Sequence, residues 1–112
     1  ALAPDLAALG RVTRAGASCF ARAGRGWKTR AFFADLGVPE DPATGSAAGP
    51  LAVHLARHGR IAFGEEIEIA QGAELGRPST LYARVEGAAD RIDRVAVGGS
   101  AVIVARGEFF LP

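Results

Sequence analysis

The sequence predicts an α+β fold, a mainly antiparallel β-barrel or half-barrel curled around one buried central helix. Three observations predict it. Six short segments alternate apolar and polar residues with period two, as half-buried strands do. One stretch, SAAGPLAVHLARH from Ser46 to His58, is apolar almost all round, with only Ser46, His54, Arg57 and His58 polar, which calls for burial. A chain of 112 residues can build a single core and no second one, so helix and strands must share it.

The elements follow in order. PDLAALG, from Pro4, puts proline at an N-terminal position ahead of apolar spacing and a closing glycine, predicting one or two helical turns. The opening ALAPDLAALGRV begins on Ala1 with no Met and reads as a short helix met in mid-domain, a hint of truncation. In ASCFARA, Ala17, Cys19 and Ala21 oppose Ser18, Phe20 and Arg22; in TRAFFAD, Arg30, Phe32 and Ala34 oppose Ala31 and Phe33. Gly24 and Gly26 between them mark a hairpin turn. After the long helix come EEIEIAQG, STLYARVE, DRVAVGG and AVIVARGEFFL, each bounded by Gly, Pro or Asp. Ile67 and Ile69 alternate with Glu66 and Glu68, and Leu81, Ala83 and Val85 with Thr80, Tyr82 and Arg84, so one face meets a core and the other water. Gly59 is the expected left-handed stop of the helix, with His58 suiting the negative end of its dipole.

Composition excludes several classes of function. Thirteen basic residues against twelve acidic ones leave a net charge of +1, and no Lys/Arg cluster offers a footprint for nucleic acid or anionic lipid. No run of eighteen apolar residues spans a membrane. The single cysteine, Cys19, cannot form an internal disulfide and reads as a small buried strand residue. Nothing at the start resembles a signal peptide, and the expected setting is a bacterial cytoplasm. Arginine supplies twelve of the thirteen positive charges and Met is absent, a coding bias of the kind GC-rich genomes show. Trp27, Phe32, Phe33, Phe109 and Phe110 are expected to pack.

Chemistry concentrates at the mouth of the central helix, in EDPATGSAAG. The first helical turn leaves backbone N–H groups unpaired at or near Gly45, Ser46, Ala47 and Ala48 and carries about half a positive charge. Gly45 lets a ligand approach the backbone and Ser46 adds a hydroxyl, a ready site for a carboxylate or phosphate. Pro50, within the first turn or so, loses little by lacking an N–H. Pro42 biases Asp41 toward an extended conformation outside the helix, where it can act as a general acid or base. The competing reading is plain capping, since Asp, Thr and Ser before a helix are its commonest caps, and the local pattern alone favours it.

Other motifs fail. GSAAG is not a nucleophile elbow, because the serine directly follows the first glycine, and His54 lies about 12 Å along the helix from Ser46, too far to serve it as base. No Lys follows the glycine as in a phosphate-binding loop. His54 and His58, four apart, could share a metal, but no third ligand is evident and packing and capping are the better reading.

RAFFADLGVPEDPATGSAAGPLAVHL, then AQGAELGRPSTLYARV and VAVGGSAVIVARGEF, closely resemble the C-terminal domain of the phenazine biosynthesis PhzF-like family, over residues 28 to 111. The resemblance implies the diaminopimelate epimerase-like fold, two similar domains each wrapping a barrel round a helix, with the active site where the two helix N-termini face each other. Residues 1–112 would be a single domain equivalent to the C-terminal half of such a two-domain isomerase. It implies cofactor-independent proton transfer on a small carboxylic-acid substrate, with Asp41 as the catalytic-site aspartate and Gly45, Ser46 and Thr44 binding substrate. Arg77, Pro78 and Ser79 would support the barrel beside the cleft. The family's principal base, a glutamate, and a helping histidine belong to the N-terminal domain. Glu40 is no substitute, because neighbours in an extended segment point opposite ways. The partners expected are therefore a small carboxylate and an N-terminal PhzF-like domain or companion chain, with homo-oligomers and without metal or nucleic acid. The alternative is a non-catalytic carboxylate-binding or structural module that self-associates.

Overall fold

The computed structural model describes residues 3–13 and 15–111; Ala1 and Leu2 of the opening stretch lie outside them. Helix α1, Leu6–Val12, is capped by Asp5, whose carboxylate accepts from the Ala8 amide at 2.9 Å. It runs past Gly10, the stop expected from the sequence, to Thr13. Strands β1, Ala17–Ala23, and β2, Gly26–Phe33, form a hairpin that turns on Gly24 and Arg25, with Gly24 at φ 58°. A turn of 3-10 helix, Ala34–Leu36, leads into β3, Val38–Asp41. Helix α2 spans Gly45–Arg57, and β4, Glu66–Gln71, β5, Ser79–Gly87, and β6, Ile92–Gly99, complete the order.

The strands make one six-stranded sheet in the order β1-β2-β4-β5-β6, with β3 pairing beside β4 on β2. Every pairing is antiparallel except β2 with β4, where Trp27 and Lys28 lie opposite Ile69 and Ala70. The parallel step requires a crossover, and α2 supplies it. The helix thereby lies on one face of the sheet. Leu51, Ala52, Leu55 and Ala56 pack there on Trp27, Ile67, Ile69, Leu81, Ala83 and Val85. Gly49 permits the close approach to β6: a β-carbon there would stand 3.0 Å from a Val95 methyl. At its C-terminus α2 closes with Arg60 N–H on the Leu55 carbonyl at 2.8 Å and Gly59 N–H on that of Ala56 at 3.0 Å, Gly59 taking the left-handed φ of 64° its place demands.

Several expectations change. Among the described residues the sheet does not close into a barrel, because β1 and β6 remain its two edges. The helix is consequently buried on one side only: Ser46, Pro50, His54 and Arg57 line an open face. AVIVARGEFFL forms no strand, and its large side chains, Phe109 and Phe110 included, stand 78–93% exposed instead of packing; alternation alone cannot make a strand where no neighbouring edge accepts its hydrogen bonds. Cys19 is exposed rather than buried, since the edge strand β1 has a covered neighbour on one flank only. Pro50, the sixth helical residue, lies beyond the first turn, so its missing N–H withholds the hydrogen bond that the Ser46 carbonyl would otherwise accept. The buried alternation of β4 and β5, by contrast, is as read, with Ile67, Ile69, Leu81, Ala83 and Val85 inward.

Candidate active site

Asp41 ends β3, its backbone held opposite Ala31 of β2. Extended geometry sends the two adjacent carboxylates apart. Glu40 turns to Arg30 and makes a two-pronged ion pair with it, Nε to Oε1 and Nη2 to Oε2 both at 2.8 Å. That bond, foremost, holds the Arg30 guanidinium above its ordinary range and keeps it charged. Asp41 instead turns to the helix mouth, where the Thr44 hydroxyl donates to its Oδ2 at 2.7 Å.

Thr44 is the N-cap of α2 by position, yet its side chain makes no capping bond. Its carbonyl accepts from the amides of Ala47 and Ala48 at 3.1 and 3.3 Å, while no hydrogen bond among the described residues engages those of Gly45 and Ser46. The expected quartet of donors is thus reduced to two, beside the exposed hydroxyl of Ser46. Side-chain capping, the reading that local pattern favours, does not describe this helix: neither the Asp41 carboxylate nor the Thr44 hydroxyl bonds an amide of its first turn.

Behind this loop sits Gln71, almost fully buried at the inner face of β4. Its amide reaches the Asp41 carbonyl, the Thr44 hydroxyl, the Thr44 amide and the Thr29 hydroxyl, all within 2.8–3.2 Å. Gly72 follows at φ 84°, where a β-carbon would come within 2.6 Å of the Pro42 carbonyl and 2.3 Å of that of Arg77. The segment of Arg77, Pro78 and Ser79 therefore backs the loop through Gly72, with Arg77 N–H bonded to the Gly72 carbonyl at 3.0 Å. Sequence reading does not single out Gln71. The available signal is a polar residue in phase with Ile67 and Ile69 on a buried face, which requires hydrogen-bonding groups across from it.

A cleft of about 380 Å³ opens from the helix mouth along the exposed side of α2, lined among others by Thr44, Ser46, Pro50, His54, Phe20 and Phe33. Its floor is aromatic: Phe20 sits edge-on to Trp27 and to His54, with ring centres 5.9 and 5.5 Å apart, and His54 continues to His58 at 4.4 Å. Both histidines are exposed, and no group of three metal-ligating side chains occurs among the described residues. Of the residues expected at the site, Thr44 and Ser46 line this cleft and Asp41 and Gly45 do not. The helix mouth beside it combines a carboxylate bonded to Thr44, two amides without a hydrogen bond among the described residues and a hydroxyl, a set that can hold an anion and move a proton.

Comparison with known proteins bears on that reading. The family model described as phenazine biosynthesis-like protein, PhzC-PhzF, matches residues 1–107. The trans-2,3-dihydro-3-hydroxyanthranilate isomerase of Pseudomonas chlororaphis is 56% identical over 111 residues, which cover 99% of this chain and 40% of that protein. Its counterpart in Pseudomonas fluorescens is 53% identical over the same share of each. A solved structure of a predicted epimerase from Pseudomonas aeruginosa superimposes with a TM-score of 0.56 at 42% identity, over 76% of this chain and 28% of that one. The chain spans about 40% of the length of the isomerases it matches.

Proposed function

The chain belongs to the phenazine biosynthesis-like PhzC-PhzF family, and on that premise we propose that it forms one wall of the active site of a cofactor-independent isomerase. The substrate is a small carboxylic acid of the dihydro-hydroxyanthranilate kind that its relatives are named for. Its carboxylate is held by the amides of Gly45 and Ser46 and the Ser46 hydroxyl, where helix dipole and unpaired donors act together. Thr44 shapes the loop, and Asp41 faces the bound acid as the catalytic-site aspartate. Removing a proton from carbon also needs a positioned base. In this reading the base is a glutamate of the N-terminal half, on the wall opposite.

The observation that carries the proposal is the diverted cap. A threonine at an N-cap ordinarily satisfies the first turn of its own helix. Here its hydroxyl bonds Asp41 instead, so the helix mouth is left open next to a carboxylate held in one place. A structural cap has no reason to be arranged so.

Exchange of substrate C–H protons with deuterated water tests the reading, using trans-2,3-dihydro-3-hydroxyanthranilate and NMR. The chain alone is expected to catalyse no exchange, and to gain it when combined with its N-terminal partner. Exchange by the isolated chain would show that the base lies within it and would sink the division of labour. A second reading, a non-catalytic module that self-associates, draws support from the exposed apolar residues 101–111. It predicts no exchange in either mixture.

A further inference from the structure

A buried glutamine brings two donor hydrogens and an acceptor oxygen with two lone pairs, and the cost of burial is met only if these find partners. Gln71 finds four. Its Oε1 accepts from the Thr44 amide at 3.2 Å and from the Thr29 hydroxyl at 3.1 Å; its Nε2 donates to the Asp41 carbonyl and to the Thr44 hydroxyl oxygen, each at 2.8 Å. Two of these partners leave no choice about which end of the amide is which. A backbone N–H can only donate, so it must face Oε1, and a backbone carbonyl can only accept, so it must face Nε2.

The consequence falls on Thr44. Its hydroxyl has one hydrogen, and its oxygen already receives one from Nε2, so that hydrogen is directed to Asp41 Oδ2. A one-way chain results: Gln71 Nε2–H to Thr44 Oγ1, Thr44 Oγ1–H to Asp41 Oδ2. It commits Oδ2 as an acceptor. No hydrogen bond among the described residues reaches Oδ1, which is thereby the oxygen left for a ligand. The same amide also fixes the backbone at both ends of the loop, through the Asp41 carbonyl and the Thr44 N–H.

We propose that Gln71 is a positioning residue for the isomerase reaction: from behind the wall it directs the Thr44 hydroxyl onto Asp41 and so sets which carboxylate oxygen meets the substrate. The proposal rests on the reading of Asp41 given above and extends it to a residue that touches no substrate. The sheet register reinforces it. Gln71 stands opposite Ser79 at the last position of the β4–β5 ladder, and the Thr29 hydroxyl reaches its amide from the centre of β2, so the amide is held by strand residues that do not themselves line the cleft.

Gln71→Glu is the discriminating variant, because it keeps the shape and the oxygen that accepts from Thr29 and from the Thr44 amide while replacing the donor by an acceptor. The Thr44 hydrogen then turns to the introduced carboxylate and leaves Asp41. In the complete protein, with deuterium exchange as the assay, kcat is expected to fall about 10- to 100-fold while KM stays within about threefold, the signature of lost orientation rather than lost binding. Should Gln71→Glu fail to fold, Thr44→Val removes the same hydroxyl at nearly the same volume and is expected to lower kcat likewise. Thr29→Val takes a hydrogen bond from the far side of the same amide and is expected to reduce thermal stability with kcat within about threefold of the parent. Equal kcat losses in Thr29→Val and Gln71→Glu would mean general loosening of the core and overturn the proposal. Parental kcat in Gln71→Glu or Thr44→Val, alongside an inactive Asp41→Asn, would overturn it alone. Parental kcat in Asp41→Asn would remove both it and the assignment of Asp41.

Discussion

Adjacent carboxylates with different tasks are separated here by nothing more than strand geometry. Glu40 is spent on Arg30, in a pair whose side chains are only 10% and 15% exposed, whereas Asp41 is presented to the helix mouth by a single hydroxyl. Asp41→Asn keeps size and most hydrogen bonding, so it is expected to abolish exchange in the assembled enzyme while the midpoint of urea unfolding hardly moves. A fall in stability comparable to a core substitution would return the residue to a structural role. Ser46→Ala, at an exposed position, is expected to raise KM about tenfold through loss of one hydrogen bond to a charged group, with folding unaffected. The acid limb of stability offers a separate check. The Lys28 ammonium, hydrogen-bonded to Glu74, holds that carboxyl below its usual 4.5. The unfolded chain therefore takes up the proton first, so the contribution is present above about pH 4.5 and is lost as pH falls through the lower folded value. Glu74→Gln is expected to flatten that part of the urea-midpoint profile by lowering the neutral plateau slightly while the acid end stays as in the parent, the drop being small since the pair is partly exposed.

At the scale of the element, patterns that depend on neighbours in sequence are legible and those that depend on neighbours in space are not. The alternation of β4 and β5 and the stop at Gly59 are written locally, and each is found in place. Strand β3 is hidden in the sequence because Pro39 argues against a strand; the proline is tolerated because β3 borders only β2, with a bulge between its pairings. Composition makes α2 a helix for burial all round, yet one side of it faces a cleft. Only the positions of the sheet strands decide which side. That division is measurable. Leu55, 1% exposed among core residues, is expected to cost about 2–5 kcal/mol on truncation to alanine. His54→Ala, one position earlier on the open face, is expected to cost about 1 kcal/mol or less, the worth of its ring contact with Phe20. Comparable losses at both positions would mean that the open face is covered in solution.

The whole molecule is less compact than its length allows. A closed domain of 112 residues has a radius of gyration of about 13 Å, against 16.0 Å here. The excess has a visible source in residues 100–111, which carry Val102, Ile103, Val104, Phe109, Phe110 and Leu111 into solvent. Half of the candidate site is legible in EDPATGSA, because a helix mouth is local. The wall that would face it is not, because nothing in these residues encodes it and a two-sided cleft is specified by both sides. In the proposed reading the exposed segment lies on the side that the second wall would cover. Covering one large apolar side chain contributes about 1.5–3 kcal/mol, so six of them leave a strong drive to associate, well beyond the scattered apolar exposure normal for a soluble surface. The isolated chain is therefore expected to self-associate at micromolar concentration in analytical ultracentrifugation. Deleting everything after Ser100 is expected to give a monomer with an unchanged β-sheet circular dichroism spectrum, since β6 ends at Gly99 and neither the core cluster nor the side chains packed against it extend beyond Ile92. The shortened chain is further expected to lose affinity for the N-terminal half while the intact chain retains it. Association that survives the deletion would place the contact instead on the open face of α2, along Pro50, His54 and Arg57, and would make that face rather than the C-terminal segment the surface through which the second wall docks.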